Sequence, residues 1–259
     1  MKTKAVILAG GRGTRLFPIT RDLPKTLIHI HGKPIIEYIL DRVVEIGIKE
    51  IIVVIGHYGG KIKKLVGDVY KGSSIKYIIN PIYEQTNSTY SLWLTKEVVG
   101  EDLLVINADT IFNRGILKYL VESNYEVALS IDDTISGSLP EDSMKVTIID
   151  GLIRNASKKI PPERTHGDAI GIYRFKGEGV KYLFNELGLL VEKNILDQLF
   201  TFAVKAIMAK KNVYPVSTNG LSWIEIDDQN DLKEAHLVVK NILDEENYVD
   251  SSKKPFQGR

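Results

Sequence analysis

Apolar and polar positions follow two rhythms along this chain. Short continuous apolar runs occur at 4–9, 50–55, 75–79, 102–107 and 126–131. Their length and bounding polar or glycine-containing segments predict strands buried on both faces. Between them apolar residues recur with helical spacing, predicting helices near 34–46, 60–66, 88–98 and 114–122. Pro34 suits a first helical position, and Ile35, Ile36, Ile39, Leu40 and Val43 form one stripe after it. Strands alternating with helices imply βαβ units and a mostly parallel sheet, whose ligands bind at the carboxyl ends of the strands.

The second half is less regular. Residues 144–149 and 152–155 predict a hairpin turning at Asp150-Gly151. A strand at 168–175, helices near 177–187 and 193–210, strands near 212–216 and 222–226 and a helix near 229–243 follow. The fold expected is α/β: a Rossmann-like mixed, mostly parallel sheet flanked by helices, forming a single domain over 1–243. Residues 244–259 read as a polar, frayed tail.

Composition narrows the function. Formal net charge is +1, from 34 basic and 33 acidic side chains, so no global field draws in nucleic acid and any anion site is local. The absence of cysteine excludes disulfides, thiolate chemistry and zinc–cysteine sites. The run Ala5-Val6-Ile7-Leu8 is too short for a signal peptide or a membrane span, which predicts a cytoplasmic protein. His29, His31, His57, His166 and His236 lack metal-ligand spacing and read as surface or loop residues.

The most specific string is Leu8-Ala9-Gly10-Gly11-Arg12-Gly13-Thr14-Arg15-Leu16, followed by Pro18 and by Leu23-Pro24-Lys25. Its glycines let backbone pass close to a ligand with N–H groups toward phosphate oxygens, and Arg15 and Lys25 add positive charge nearby. A P-loop is excluded because Gly-x-x-x-x-Gly-Lys-Ser/Thr is absent. A dinucleotide fingerprint is excluded because Leu16 stands where a third glycine is required.

With Gly32-Lys33-Pro34-Ile35-Ile36, this string resembles the signature of sugar-phosphate and related nucleotidyltransferases. The resemblance continues in pieces to about residue 235. It implies that Leu8, Ala9, Gly10, Gly11, Gly13 and Thr14 wrap the nucleotide phosphates. It further implies catalytic roles for Arg15, at the α- and β-phosphates, and for Lys25, near the reacting centre.

Two carboxylates extend the pattern. Leu103 to Asp109 is a buried strand ending in an acid, where the family places a ligand for catalytic Mg²⁺; capping of the next element is the alternative role for Asp109. In Trp223-Ile224-Glu225-Ile226-Asp227-Asp228, alternation puts Glu225 and Asp227 on one face. The resemblance makes Asp227 the second Mg²⁺ ligand, with Glu225 beside it or at the acceptor. Magnesium suits such a pair, completed by water and phosphate.

The segment Asn80 to Trp93 bears on the nucleotide. It leaves a strand and opens a helix, and Asn80, Thr86, Asn87, Ser88 and Ser91 are its candidate nucleotide contacts. Asn87 and Ser88 also suit helix capping. The form Thr-Asn-Ser-Thr-Tyr-Ser resembles the cytidylyltransferase branch acting on phosphocholine, inositol 1-phosphate or related phospho-alcohols. For the acceptor, the resemblance points to Lys145, Lys158, Asp168 and Tyr173, with the hairpin as a small acceptor subregion.

The expectation is a Mg²⁺-dependent cytidylyltransferase that condenses CTP with a phosphorylated small molecule and releases pyrophosphate. The alternatives are a hexose-1-phosphate uridylyl- or thymidylyltransferase and a non-catalytic nucleotide-binding regulatory subunit. No nucleic-acid partner and no membrane span are expected; a homo-oligomer is compatible with this reading.

Overall fold

A computed structural model describes residues 3–134 and 139–252. In chain order the strands are β1 (Lys4–Ala9), β2 (His29–Ile30), β3 (Lys33–Pro34), β4 (Glu50–Ile55), β5 (Val69–Tyr70), β6 (Ser73–Ile79) and β7 (Asp102–Asn107). They continue with β8 (Thr110–Phe112), β9 (Val127–Asp132), β10 (Lys145–Ile149), β11 (Leu152–Ala156), β12 (Gly167–Lys176), β13 (Tyr214–Ser217) and β14 (Trp223–Glu225). The helices are α1 (Ile35–Glu45), α2 (Gly59–Val66), α3 (Ser88–Trp93), α4 (Arg114–Glu122), α5 (Glu178–Glu192), α6 (Thr201–Met208) and α7 (Gln229–Ser252).

The main sheet runs β11-β10-β12-β7-β1-β4-β6-β5, with β9 against β12 and β13 against β9. Its centre is parallel: β7, β1, β4 and β6 all point the same way. Strand β12 enters antiparallel to β7, and its first residues pair with the antiparallel hairpin β10–β11 while β9 lies along its other edge. The sheet is therefore mixed and mostly parallel at its core, as the alternation of strands and helices implies.

Side-chain alternation explains the two helical layers. Ala5, Ile7 and Ala9 of β1 pack on one face with residues of α1, α4 and α7. Val6 points to the other face, which holds residues of α3, α5 and α6. Both faces are buried, which is why β1, β4 and β7 read as continuous apolar runs. The hairpin turns where expected, with Asp150 at φ 53° and Gly151 at φ 72°, the pair of positive angles a type I′ turn requires.

Three helical expectations change. The helix expected over 88–98 stops at Trp93, and turns follow it. The helix expected over 193–210 is only α6; Asn194 turns left-handed at φ 55°, and the backbone of 196–200 bonds to another loop. The last helix does not end near 243. It continues to Ser252 because Glu245 and Glu246 have partners: Glu245 accepts from Asn113 and Ser222, and Glu246 from Arg42 and the Arg114 backbone. The rest of the expected tail, 253–259, lies outside the described residues.

Candidate active site

The parallel strands end in register: Ala9 is opposite Ile55, and Leu8 is opposite Asn107. The chain leaves β1 there as the glycine-rich loop. Gly13 takes the left-handed conformation (φ 60°), where a side chain would also press on Lys25 and Thr20. A side chain at Gly11 would project into open space. The turn Thr14–Leu16 then sends Leu16 into the core with no exposed surface. Burying that side chain contributes about 2 kcal/mol, which anchors the far end of the loop.

Two adjoining hollows open at this edge, of about 270 and 240 Å³. Leu8, Gly11, Arg15, Asp109 and Asp227 border both. The smaller hollow adds Ala9, Gly13, Thr14 and Lys25. The larger runs from Gly10 past the loop at 86–91 to β12.

Charged groups converge between them. Asp109 lies two residues beyond the end of β7, and Asp227 two beyond β14, which pairs antiparallel with β8. The Lys25 ammonium lies 2.9 Å from Asp109 Oδ2 and 2.7 Å from Asp227 Oδ1. The Arg15 guanidinium pairs with Asp227 and donates to Asp142 at 2.7 Å. Burial alone would lower the pKa of Lys25, but the charges of Asp109 and Asp227 outweigh it and raise it. For Asp227 burial works against ionisation, yet Lys25 and Arg15 hold its carboxyl below the usual range.

Glu225 completes an acidic trio. One oxygen from each of Asp109, Glu225 and Asp227 lies within 4.8 Å of the others. Burial first, and then Asp109 and Asp227, push Glu225 up to about 8. Asp109 Oδ1 is buried without a hydrogen-bond partner. With Asp142, four carboxylates face the two cations Arg15 and Lys25. Hard oxygen donors, an orphaned carboxylate oxygen and an excess of negative charge fit a divalent ion such as Mg²⁺.

The loop before α3 is a built structure of its own. Asn80, with 1% of its surface exposed, donates to Thr86 Oγ1 (2.9 Å) and Ser91 Oγ (3.0 Å) and accepts from the Ile82 amide. Asn87 caps the helix by accepting from the Ser88 amide. The segment before α6 is bonded directly to it: the Asn87 and Thr89 amides donate to Leu196 and Gln198, and Ser88 Oγ accepts from the Phe200 amide. Asn80, Thr86, Asn87, Ser88 and Ser91 all border the larger hollow. Asn80 and Ser91 are at the same time engaged in shaping the loop.

At the other end, Lys158, Tyr173 and Glu225 line the cleft. Tyr173 packs edge-on against Phe200, with ring centres 4.7 Å apart. Gly171 (φ 80°) lets β12 approach Asn107, where a side chain would meet the amide at 2.8 Å. Lys145 departs from its expected place: it is buried, and its ammonium donates to the carbonyls of Pro140, Glu141 and Lys158 at 2.9–3.1 Å. Its three donors are used holding a loop, which leaves none for an acceptor phosphate. Asp168 pairs in register with Lys145 and is also buried; burial outweighs its bond from Ser143 and pushes it up to about 6. Sequence reasoning missed Asp142, Phe200 and Thr201, which line the cleft. No local motif marks them, and Asp142 stands 127 positions from Arg15.

A glycine-rich loop and an acidic trio at the carboxyl edge of a parallel sheet define a nucleotide-binding α/β domain with a candidate metal centre. A sequence profile described as nucleotidyl transferase matches residues 4–137, and the chain belongs to that family. It is 29% identical to the bifunctional protein GlmU of Methanococcus vannielii, over 92% of this chain and 56% of that protein, so it spans about half that relative's length. It is 26% identical to the CTP:phosphoglutamine cytidylyltransferase of Campylobacter jejuni, over 88% of this chain and 97% of the relative. The inositol-1-phosphate CTP transferase of T. maritima shares the fold, with a TM-score of 0.78 and 21% identity over 92% of this chain and 95% of that one. Among the described residues, no helix is long and apolar enough to cross a membrane.

Proposed function

We propose that the protein transfers a cytidylyl group from CTP to the phosphate of a small phosphorylated alcohol or amino alcohol, with Mg²⁺, and releases pyrophosphate. The observation that carries this reading is the convergence of Arg15, Lys25, Asp109 and Asp227 beside the glycine-rich loop. The Asn87–Ser91 segment, and a cytidylyltransferase relative matched over nearly its whole length, support CTP as the donor.

Asp109 and Asp227 would hold the ion, with Glu225 adjacent. When bound, Mg²⁺ supplies charge neutralisation at the α-phosphate. Transfer joins an oxygen of the acceptor phosphate to the α-phosphorus, while the bond to the bridging oxygen breaks and pyrophosphate leaves. The nucleophile is already anionic, so no general base is required; positioning and electrostatics carry the catalysis. Lys25 stays protonated between its two carboxylates. Arg15 and Asp142 are each about half exposed, so their pair contributes no more than about 1 kcal/mol and is readily exchanged for a phosphate. Lys158 stands at the acceptor end, beside Tyr173 and Glu225.

The test is pyrophosphate release from CTP, UTP and dTTP with Mg²⁺ and a panel of acceptors: phosphocholine, inositol 1-phosphate and hexose 1-phosphates. Preference for CTP with a non-hexose acceptor is expected. Preference for UTP or dTTP with a hexose 1-phosphate would replace the reading, and no release from any pair would remove the catalytic claim.

A further inference from the structure

His57 is a loop residue, as its sequence context suggests, but a buried one. It follows β4, is 8% exposed, and sits where three segments meet. Its backbone N–H donates to Gly10 O at 3.4 Å, at the start of the glycine-rich loop. Its Nε2 lies 3.2 Å from the carbonyl of Thr20. A carbonyl only accepts, so this nitrogen carries the proton.

Thr20, with no exposed surface, passes the constraint on. Its hydroxyl donates to Gly13 O at 2.6 Å, at the left-handed turn of the loop, and Gly13 in turn packs on Lys25. The His57 ring also lies near Tyr83, with ring centres 6.0 Å apart, and Tyr83 lines the larger hollow just before the 86–91 segment. Gly56 is held as tightly, since a side chain there would come within 2.6 Å of Gly10 O and 2.8 Å of Tyr83.

We infer that His57 is a positioning residue which, through Thr20, holds the glycine-rich loop in the shape that receives the nucleotide triphosphate. It touches no cleft-lining charge and takes no part in the transfer. The inference rests on the proposed function only in naming the ligand of the loop.

The test uses the intact protein with His57→Phe, which keeps a ring but loses the donor, and His57→Gln, whose amide nitrogen takes the place of Nε2. Initial rates are measured against nucleotide at saturating acceptor, and against acceptor at saturating nucleotide. His57→Phe is expected to raise KM for the nucleotide about tenfold, the worth of one buried hydrogen bond, with kcat and acceptor KM changed less than about twofold. His57→Gln is expected to recover most of the loss. Thr20→Val, which removes the hydroxyl at constant size, is expected to match His57→Phe, and the double variant to be no worse than either. It carries the test if His57→Phe does not fold. Amide hydrogen exchange over residues 10–16 without substrate supplies a readout independent of the reaction; it should quicken in His57→Phe and Thr20→Val but not in His57→Gln. An unchanged nucleotide KM together with unchanged exchange, or a glutamine variant no better than phenylalanine, overturns the inference. Absence of turnover in the unsubstituted protein, with exchange behaving as expected, overturns the proposed function alone.

Discussion

At the glycine-loop end of the cleft, where the proposed function places the phosphates, the charged groups follow directly from strand ends: Arg15 and Lys25 in the loop after β1, Asp109 two residues beyond β7, Asp227 two beyond β14. At the hairpin end, which the proposed function gives to the acceptor, Lys145 and Asp168 pair across β10 and β12, and the polar groups around them are largely satisfied by backbone. The first arrangement sets paired charges on the border of two open hollows. The second uses its charges to hold the wall. A charged residue at the edge of a sheet is thus a better guide to chemistry than one within a strand, even when both belong to a familiar pattern.

The sharpest way to break this contrast is to neutralise the phosphate end. Asp109→Asn or Asp227→Asn is expected to lower kcat at least about 100-fold, a loss of roughly 3 kcal/mol in transition-state stabilisation; melting temperature should change little for Asp109→Asn and fall for Asp227→Asn, which loses the shared partner of Lys25 and Arg15. Near-normal turnover, read by pyrophosphate release, would show that these carboxylates do not hold the metal. Lys25→Met should go further in stability. It strands Asp109 and Asp227 without their shared cation and should cost about 3 kcal/mol, partly recovered by MgCl₂. Thermal denaturation with and without the salt measures this; equal melting points in both conditions count against a cation site.

The two acceptor-end lysines should behave oppositely. Lys145→Met orphans three carbonyl acceptors and is expected to cost roughly 2–3 kcal/mol of stability. Lys158→Met, at an exposed position on the cleft, should leave stability nearly unchanged and raise the acceptor KM about tenfold. Urea denaturation and acceptor kinetics on the pair distinguish wall from site.

The smallest effect is a pH dependence. Asp168 has a folded pKa of about 6, above its ordinary value of 3.8. Its contribution to stability is therefore fully present below the ordinary value and is lost as pH rises through 6. Asp168→Asn removes that loss, so the variant should gain relative to the parent at pH 8 and not at pH 4. A constant difference between the two across this range would mean that burial does not set the titration.

Much of the architecture was legible because buried strands and amphipathic helices write their periods into the sequence. Val6 and Ile7 point to opposite cores, and both are apolar for that reason. The glycine loop was legible because its turn requires glycine; Gly13 is left-handed (φ 60°), and a side chain there would press on Lys25 and Thr20. Asp142, Phe200 and the buried state of Lys145 were not legible. Each depends on which distant segments meet, and no local spacing records that. The same is true of residues 195–200, where a helical composition yields to hydrogen bonds with the 87–89 segment. Nothing local marks His57 either, because the two carbonyls it bonds come from other parts of the chain.

The final helix works as a tie-rod for the acidic ribbon. Asp231, near one end, accepts from the amides of Asp227 and Asp228, while Glu245, near the other, clasps Asn113 and Ser222 where β8 and β14 part. A chain trimmed after residue 243 would keep every residue that touches the cleft and still lose one of the two anchorages that hold Glu225 and Asp227 in line. For anyone shortening this protein, a cut should leave Glu245 and Glu246 in place.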